Sequence, residues 1–464
     1  MTKIKFGTDG WRAIIAKEYT VDNVARVADA TARWMKSKGM TKAVVGYDCR
    51  FGGPMFADTT TEVFGHYGIK VIGSNNFVST PMVSLAVVKT KADMGIVITA
   101  SHNPPEYNGY KLKSAYGGPT IPKDIQEVED LIEDTPPTSF KSKDAMIKEG
   151  LYEEMDLEEM YMKHIEDSFD LDLIKSSGIR LGYDAMFGAG QNVIKRLFPN
   201  AHLLHCEHNP SFHGQAPEPI GRNLEQLASD IANDDSINLG LANDGDADRI
   251  GMFDENGKFV DSHHLLLLLL DYLHEYKNLD GKVIVTFSVT DKMKKLASLF
   301  NLDFEVTQIG FKYIAEIMTK EDVLVGGEES GGLAVKGHIP ERDGVWIGLV
   351  IMEYMAKTGK SINELIQGIY DKVGSFAMDR DDLHISNDKK WAIMDCCKEG
   401  DITSIGGRDV IKTEDIDGYK FYLSEDEWVM IRPSGTEPVL RVYSQAPTQE
   451  ATRKILNDTH KELA

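Results

Sequence analysis

The chain has 464 residues, of which 42% are hydrophobic and 27% charged, and it carries a formal net charge of -22. That length is more than one hydrophobic core serves, so three or four units of about 100–150 residues are expected, and the composition excludes a disordered chain. The acidity argues against nucleic acid or an anionic membrane as the main partner, while leaving room for a small anion held by a local cluster of Arg and Lys.

The N-terminal "MTKIKFGTDG" lacks an apolar signal core. The next 100 residues alternate short apolar strands (Lys42–Tyr47, Ile69–Gly73, Met94–Thr99) with helical stretches (Thr20–Lys38, Pro54–Tyr67, Thr80–Lys91). This is a βαβ pattern and predicts a sheet covered by helices on both faces. A helix over Pro122–Glu133 and a polar, Pro-containing linker, "DTPPTSFKSKDAMIKEG", follow. The pattern restarts with helix Asp156–Phe169, strand Ile179–Tyr183, helix Gly190–Leu197, strand Ala201–Cys206, helix Leu224–Ala232 and strand Asn238–Ala242. It restarts again after Gly257, with helices at His263–Tyr276, Asp291–Phe300, Phe311–Met318 and Val345–Lys357 and strands at Lys282–Phe287, Phe304–Thr307 and Asp322–Val325. The apolar run Leu265–Leu270 is about one-third of a membrane span and reads as the buried face of a core helix. The last unit differs: strands Phe421–Leu423, Trp428–Ile431 and Val439–Ser444 sit close together, and a helix runs from Gln449 to about Leu463. The expected fold is three similar α/β units and a smaller α+β unit, divided at 1–145, 146–254, 255–370 and 371–464. The four cysteines, Cys49, Cys206 and the adjacent Cys396 and Cys397, have neither metal-ligand spacing nor a disulfide pattern, which fits a reduced, cytoplasmic setting.

Several short segments carry chemistry. In "ITASHNPPEYNGYKL" a buried strand ends at Ser101, where open α/β sheets present their sites. His102 is placed to move a proton, Pro104-Pro105 stiffens the exit, and Asn108-Gly109 is read as a turn that returns Lys111 to the same place. No G-x-S-x-G elbow is present, which disfavours acyl transfer. As residues alone, a capped polar turn is also an ordinary outcome. In "LANDGDADRIG", Asp244, Asp246 and Asp248 follow a strand at alternate positions, so their carboxylates point the same way. Their mutual repulsion calls for a cation, and all-oxygen donors suit Mg²⁺, Ca²⁺ or Mn²⁺. An acidic surface turn is the plain alternative, but Arg249 directly after the triad suits a phosphoryl group. In "VMIRPSGTEPVLRVYS", Arg432, Ser434, Gly435, Thr436 and Arg441 offer guanidinium forks, hydroxyls and close backbone N–H groups to a phosphate dianion. "VGGEESGGLAVKGHIPERDG" flanks Glu328, Glu329 and Ser330 with Gly pairs, which reads either as a flexible connector or as a loop for sugar hydroxyls.

Taken in order, "FGTDGWR", "TASHNPPEYNGYKL", "NDGDADRIG", "GGEESGG" and "RPSGTEP" resemble the motifs of the α-D-phosphohexomutase superfamily over essentially the whole chain, most closely the phosphoglucomutase/phosphomannomutase type. "PSFHGQAPEP" and "TQIGFKYI" resemble further family segments. The resemblance implies four domains with mixed sheets around a central cleft, one motif per domain. It implies a phosphoserine at Ser101, Mg²⁺ held by that group with Asp244, Asp246 and Asp248, and His102 and Lys111 as candidate acid/base groups. Arg12 and Arg249 would surround the transferring phosphate, and Glu328 and Ser330 would read sugar hydroxyls. Gly310 and Arg342 would lie near the substrate, and Arg432, Ser434, Gly435, Thr436 and Arg441 would hold the phosphate that is not reacting. The implied reaction interconverts glucose 1-phosphate and glucose 6-phosphate through a hexose 1,6-bisphosphate, which also serves as activator. Glu329 and Gly332 stand where the glucosamine type carries Gln and His, so glucose is the expected sugar, with mannose or glucosamine phosphates as the alternative. A silent sugar-phosphate-binding protein of this fold is expected to have lost Ser101 or an aspartate, and this chain keeps them all. The expected partner is a small hexose phosphate, with no nucleic acid or membrane, and the expected state is a monomer or homodimer.

Overall fold

A computed structural model describes residues 3–7, 9–434 and 439–463 of the chain. The first sheet contains β1 (Trp11–Ile14), β2 (Lys42–Tyr47), β3 (Lys70–Ser74), β4 (Met94–Ile98), β5 (Tyr107–Ser114), β6 (Gly118–Pro119) and β7 (Tyr152–Met155), in the order β1-β5-β4-β2-β3-β7 with β6 beside β5. Strands β4, β2, β3 and β7 run parallel, and β5 returns antiparallel to β4. Alternate residues of the parallel strands feed two different cores. Ala43, Val45, Val71, Ile96 and Ile98 pack with the helices Val21–Ser37 and Gly53–His66, while Val44, Ile72 and Val97 pack on the other face with helix Thr80–Thr90. Burial on both faces is why these strands read as unbroken apolar runs.

The second sheet has β8 (Leu181–Asp184), β9 (His202–Leu204), β10 (Leu239–Asn243), β11 (Ile250–Phe253) and β12 (Phe259–Val260), in the order β12-β11-β10-β8-β9. The third has β13 (Lys282–Thr286), β14 (Phe304–Thr307), β15 (Val323–Gly327) and β16 (Leu333–Val335), in the order β14-β13-β15-β16. Both mix parallel pairs with an antiparallel return (β10 with β11, β15 with β16). The last unit has β17 (Ala377–His384), the small pair β18 (Ser404–Ile405) and β19 (Arg408–Asp409), then β20 (Lys412–Glu414), β21 (Tyr419–Tyr422), β22 (Trp428–Pro433) and β23 (Val439–Ala446). Its main sheet, β17-β23-β22-β21-β20, is antiparallel throughout and is packed by the helices Asn387–Glu399 and Gln449–Glu462.

Three α/β units followed by an α+β unit therefore stand as expected. The division points do not fall so neatly. Helix Lys143–Lys148 crosses 145/146, and β7 beyond it joins the first sheet; β12 likewise joins the second sheet beyond 254, and helix Ile362–Val373 crosses 370/371. The supposed linker is polar because helix Lys143–Lys148 buries only Met146, which meets Gly65 at a distance a Cβ would fill. One continuous apolar core joins the first three units, running from Val83 and Val97 through Leu181, Leu239 and Leu265–Leu270 to Trp346. The last unit has its own core and touches the third through Phe287, Trp428, Met430 and Tyr443. Among the described residues no helix is long and apolar enough to cross a membrane.

Candidate active site

Ser101 follows the C-terminal end of β4, is 1% exposed, and has φ +53°. A non-glycine residue in that left-handed region costs about 1–3 kcal/mol and persists only where its surroundings fix it. The hydroxyl Oγ donates to Asp244 Oδ2 (2.8 Å) and lies 3.3 Å from His102 Nδ1. Lys111 reaches the same place as expected, but by another route. Asn108-Gly109 is not a turn; it is part of β5, which pairs with β4 on one side and β1 on the other. Gly109 is needed there because a Cβ would sit 2.4 Å from the Thr99 carbonyl oxygen and 2.7 Å from that of Trp11. The chain reverses earlier, over Ser101–Glu106, and alternation along β5 then sends Lys111 and Lys113 inward, both fully buried.

The aspartate loop between β10 and β11 is held from three sides. The carbonyls of Gly245, Asp246 and Ala247 accept N–H groups from Ala189, Thr80 and Gly344, one in each of the first three units. Gly245 lets the loop pass the Ser101 carbonyl, where a Cβ would clash at 2.5 Å. The carboxylates of Asp244, Asp246 and Asp248 are fully buried, with oxygens within 4.8 Å of one another. Lys111 Nζ donates to Asp246 Oδ2 (2.8 Å) and Asp248 Oδ2 (2.9 Å), and Thr80 Oγ1 to Asp246 Oδ2 (2.5 Å). The other oxygens, Asp246 Oδ1 and Asp248 Oδ1, are buried without a hydrogen-bond partner among the described residues. A buried carboxylate oxygen left bare is costly, and a hard divalent cation satisfies such oxygens at about 2.0–2.6 Å. The residues present therefore fit a divalent metal ion.

Burial and the adjacent Asp248 and Asp246 charges push Asp244 well above the usual carboxylate range. Burial acts the same way on Asp246, but Lys111 and the Thr80 hydroxyl outweigh it and hold that carboxyl below its ordinary value. Lys111 is surrounded by Asp246, Asp248 and Asp9, which overcome the opposing effect of burial and raise its pKa, so it keeps its proton. His102 moves the other way: burial, then the Arg249, Arg12 and Lys111 cations, hold it well below an ordinary imidazole, so it is neutral.

Arg12, on β1, donates to Asn103 Oδ1 (2.7 Å) and so reaches the Ser101 loop. Arg249 has its Nη1 3.4 Å from Glu218 and a buried Nε without a hydrogen-bond partner among the described residues. The sugar-loop candidate is a tight turn, Glu328 N–H to Gly332 O, hooked to the aspartate segment by Ile250 N–H to Gly331 O. Glu328 is buried and Ser330 half-buried. Gly310 caps helix Phe311–Met318 with φ +136°. Arg342, expected near the substrate phosphate, pairs with Asp9 and Asp248 (2.6 Å), with Glu328 at 3.8 Å. In the last unit Arg432 and Arg441 are directly opposite one another across β22 and β23, and they pair with Asp417 and Asp382. Ser434 is buried, and its carbonyl accepts from Lys390. Gly435 and Thr436 lie outside the described residues.

Sequence reasoning missed Asp9, Arg50, Thr80, Lys113, Glu341 and Arg380. Lys113 meets Glu341 (2.7 Å), Ser84 donates to the same carboxylate, and Arg380 of β17 reaches Glu329 of the sugar loop (2.7 Å). A buried Lys pair at alternate positions of β5 was the one signal available. A groove of about 750 Å³ lined by Ile174, Arg180, Phe198 and His202 lies on the second unit, and none of the candidate residues lines it.

Comparison with known proteins agrees along the whole chain. Family models described as phosphoglucomutase/phosphomannomutase alpha/beta/alpha domains I, II and III match residues 3–138, 159–257 and 261–373, and the model of the C-terminal domain matches 399–461. A phosphoglucomutase/phosphomannomutase of Thermococcus kodakarensis is 29% identical over 459 residues, covering 97% of this chain and 96% of the relative. A probable phosphoglucosamine mutase of Methanosphaera stadtmanae is 30% identical over 463 residues, with the same coverage. The crystal structure of a Thermus thermophilus protein assigned as a phosphomannomutase superposes with a TM-score of 0.88 at 31% identity, covering 100% of this chain and 99% of the other. The chain thus belongs to the phosphoglucomutase/phosphomannomutase family of the α-D-phosphohexomutase superfamily and is an intramolecular phosphotransferase.

Proposed function

We propose that the protein is a Mg²⁺-dependent mutase that moves phosphate between the 1- and 6-positions of a hexose, with Ser101 as the phosphoryl carrier. The observation that carries this reading is the 2.8 Å contact between Ser101 Oγ and Asp244, beside two carboxylate oxygens that have no hydrogen-bond partner among the described residues. Ser101, Asp244, Asp246 and Asp248 would hold the ion, which when bound neutralises charge on the transferring phosphoryl oxygens. His102, neutral and near Ser101 Oγ, takes the proton of the attacking sugar hydroxyl as its oxygen bonds to phosphorus and the bond from phosphorus to Ser101 Oγ breaks. After the bisphosphorylated sugar turns around, Ser101 Oγ takes the other phosphoryl group, and the leaving sugar oxygen receives the proton. Lys111, held cationic, stabilises charge rather than acting as a base. Arg12 and Arg249 steady the transferring group. Arg432, Ser434, Gly435, Thr436 and Arg441 serve the distal phosphate, and Glu328, Ser330 and Gly310 the sugar. Arg342 acts by fixing Asp9 and Asp248 rather than by gripping substrate.

The sugar is the finer question. Glu329 and Gly332 point to glucose, but the Glu329 carboxylate is engaged by Arg380 and lies 3.4 Å from Ser288 Oγ, which weakens it as a reader of the ring. Relatives named as phosphoglucosamine mutase and phosphomannomutase favour the alternative, glucosamine or mannose phosphates, over glucose alone. The test is an assay with Mg²⁺ and a trace of glucose 1,6-bisphosphate on the 1-phosphates of glucosamine, mannose and glucose, with a chelator control. Interconversion of at least one, lost on chelation, is expected; turnover of none sinks the reading.

A further inference from the structure

We infer that Arg50 is a positioning residue for Ser101, its buried guanidinium strapping the loop carbonyls so that the hydroxyl is held toward Asp244. The inference rests on the reading of Ser101 as phosphoryl carrier. Asp48, Cys49 and Arg50 follow β2, the parallel neighbour of β4, so they lie beneath the loop that β4 leads into. Arg50 Nη2 donates to the carbonyls of Ser101 (2.6 Å) and Asn103 (2.6 Å), and Nη1 to those of Pro104 (2.9 Å) and Tyr107 (3.0 Å). Its Nε lies 3.4 Å from Asp48 Oδ2. That same oxygen accepts from Thr99 Oγ1 (2.5 Å), and Thr99 Oγ1 accepts from the Ser101 N–H (2.9 Å). Ser101 is thus fixed at both ends of its own residue, the N–H through Thr99 and the C=O directly, and the two ties meet at the Asp48–Arg50 pair.

The loop needs an outside strap. Pro104 and Pro105 contribute no N–H, and two backbone bonds turn the loop on itself, Asn103 N–H to Ala100 O and Tyr107 N–H to Pro104 O. Only the planar guanidinium fork offers donors to four carbonyls at once; an ammonium offers three on a single point. The strap converges on the residue whose φ is +53°, and its far side is backed by the Phe212 ring of the second unit, 5.0 Å away. Arg50 touches no reacting atom and acts through the backbone.

Arg50→Lys keeps the charge beside Asp48 but cannot span the loop, and Thr99→Val keeps the shape but cuts the tie to the Ser101 N–H. Each is measured for kcat, KM, thermal midpoint, and phosphate on Ser101 by intact mass after incubation with glucose 1,6-bisphosphate. Displacing a reacting atom by even an ångström costs about 100-fold, so kcat is expected to fall about 100-fold in Arg50→Lys and about 10-fold in Thr99→Val. KM should stay within about threefold while Ser101 phosphorylation slows in step with kcat, because the substrate-binding groups are untouched. Folded variants with wild-type kcat overturn the inference. So does a rise in KM that accounts for the loss, and so does failure of both variants to fold, which would make the network a prop of the fold alone. If the wild type itself takes up no phosphate on Ser101, the carrier reading falls and this inference with it. If the wild type does and both variants match it, only this inference falls.

Discussion

The first three units and the last one differ in how their charged groups are held. Around Ser101 the charged groups are sealed: Lys111, Lys113, Asp246, Asp248 and Glu341 have no side-chain exposure, and a shared apolar core welds the units behind them. The last unit keeps its own core and touches the third through one small buried patch, Phe287 with Trp428, Met430 and Tyr443, while its charged contacts with the rest are partly open ion pairs, Arg380 with Glu329 and Lys292 with Asp426. Buried, closely paired charges have few low-energy arrangements, which suits a step where reacting atoms must be placed within tenths of an ångström. Exposed pairs are weak and exchange readily with water. On the proposed reading, they suit a unit that would hold the distal phosphate whichever end of the sugar is reacting. Damage to the sealed side should therefore appear in kcat, and damage to the open side in KM.

The largest effect is expected from Ser101→Ala. If the hydroxyl is the carrier, turnover drops by at least about 10⁴-fold, while binding of hexose phosphate, measured by calorimetry, stays within about threefold. Unchanged turnover would remove Ser101 from the chemistry and dissolve the contrast at its centre. Next is Asp248→Asn, which withdraws one carboxylate from the candidate ion site and breaks the Arg342 contact. Calorimetric titration with Mg²⁺ should lose about 100-fold in affinity, and kcat should fall about 10³-fold in saturating substrate. An intact Mg²⁺ isotherm would mean that the bare oxygens serve another purpose.

On the open side, Arg380→Ala removes the tie between β17 and the sugar loop. The Arg380 side chain is 34% exposed, so the pair is worth about 0.5–1 kcal/mol after solvent screening. That converts to a rise of about two- to fivefold in KM with kcat nearly unchanged. A fall in kcat instead would show that the last unit takes part in aligning the reacting atoms.

How much of this the residues announce depends on how local the physics is. The parallel strands β2, β3 and β4 were legible because both faces are buried by local helices, and the aspartate triad was legible because alternate spacing alone puts three carboxylates on one side. Strand β5 was not, because "YNGYKLKS" reads as polar until Asp9, Asp246, Asp248 and Glu341 are brought from elsewhere to pair with its two lysines. The Asn-Gly in it carries a turn signal that the close approach of β1 and the end of β4 overrides. Strands β7 and β12, short edges with mixed burial, gave no apolar run to mark where the first two sheets end. The ties of Arg342 to Asp9 and Asp248 were not legible, because its charge is local information and those partners are not. The phosphate-loop expectation at Gly435 and Thr436 falls outside the described residues.

The smallest effect concerns an aromatic patch beside the sealed charges. His164, on helix Leu157–Ser168, stacks on Trp346 (4.9 Å) and lies 3.3 Å from His338, whose other nitrogen meets Asp343 (2.9 Å). Burial, then the neighbouring His338 and Lys89, lower His164 to about 4. An unfolded histidine titrates near 6.5, so between those values the unfolded chain binds more protons than the folded one. Stability from this group is complete above about pH 6.5 and is lost as pH falls toward 4. Because the ring is only partly buried, the change is expected to be modest, about 1 kcal/mol or less by pH 5. It is measured as the difference in urea midpoint between pH 7 and pH 5 for wild type and His164→Gln. The variant should lose less than the wild type over that interval. Equal losses would place the acid sensitivity elsewhere, among the carboxylates that pair across the first three units, and would make the charged network rather than this aromatic stack the first part of the sealed side to yield.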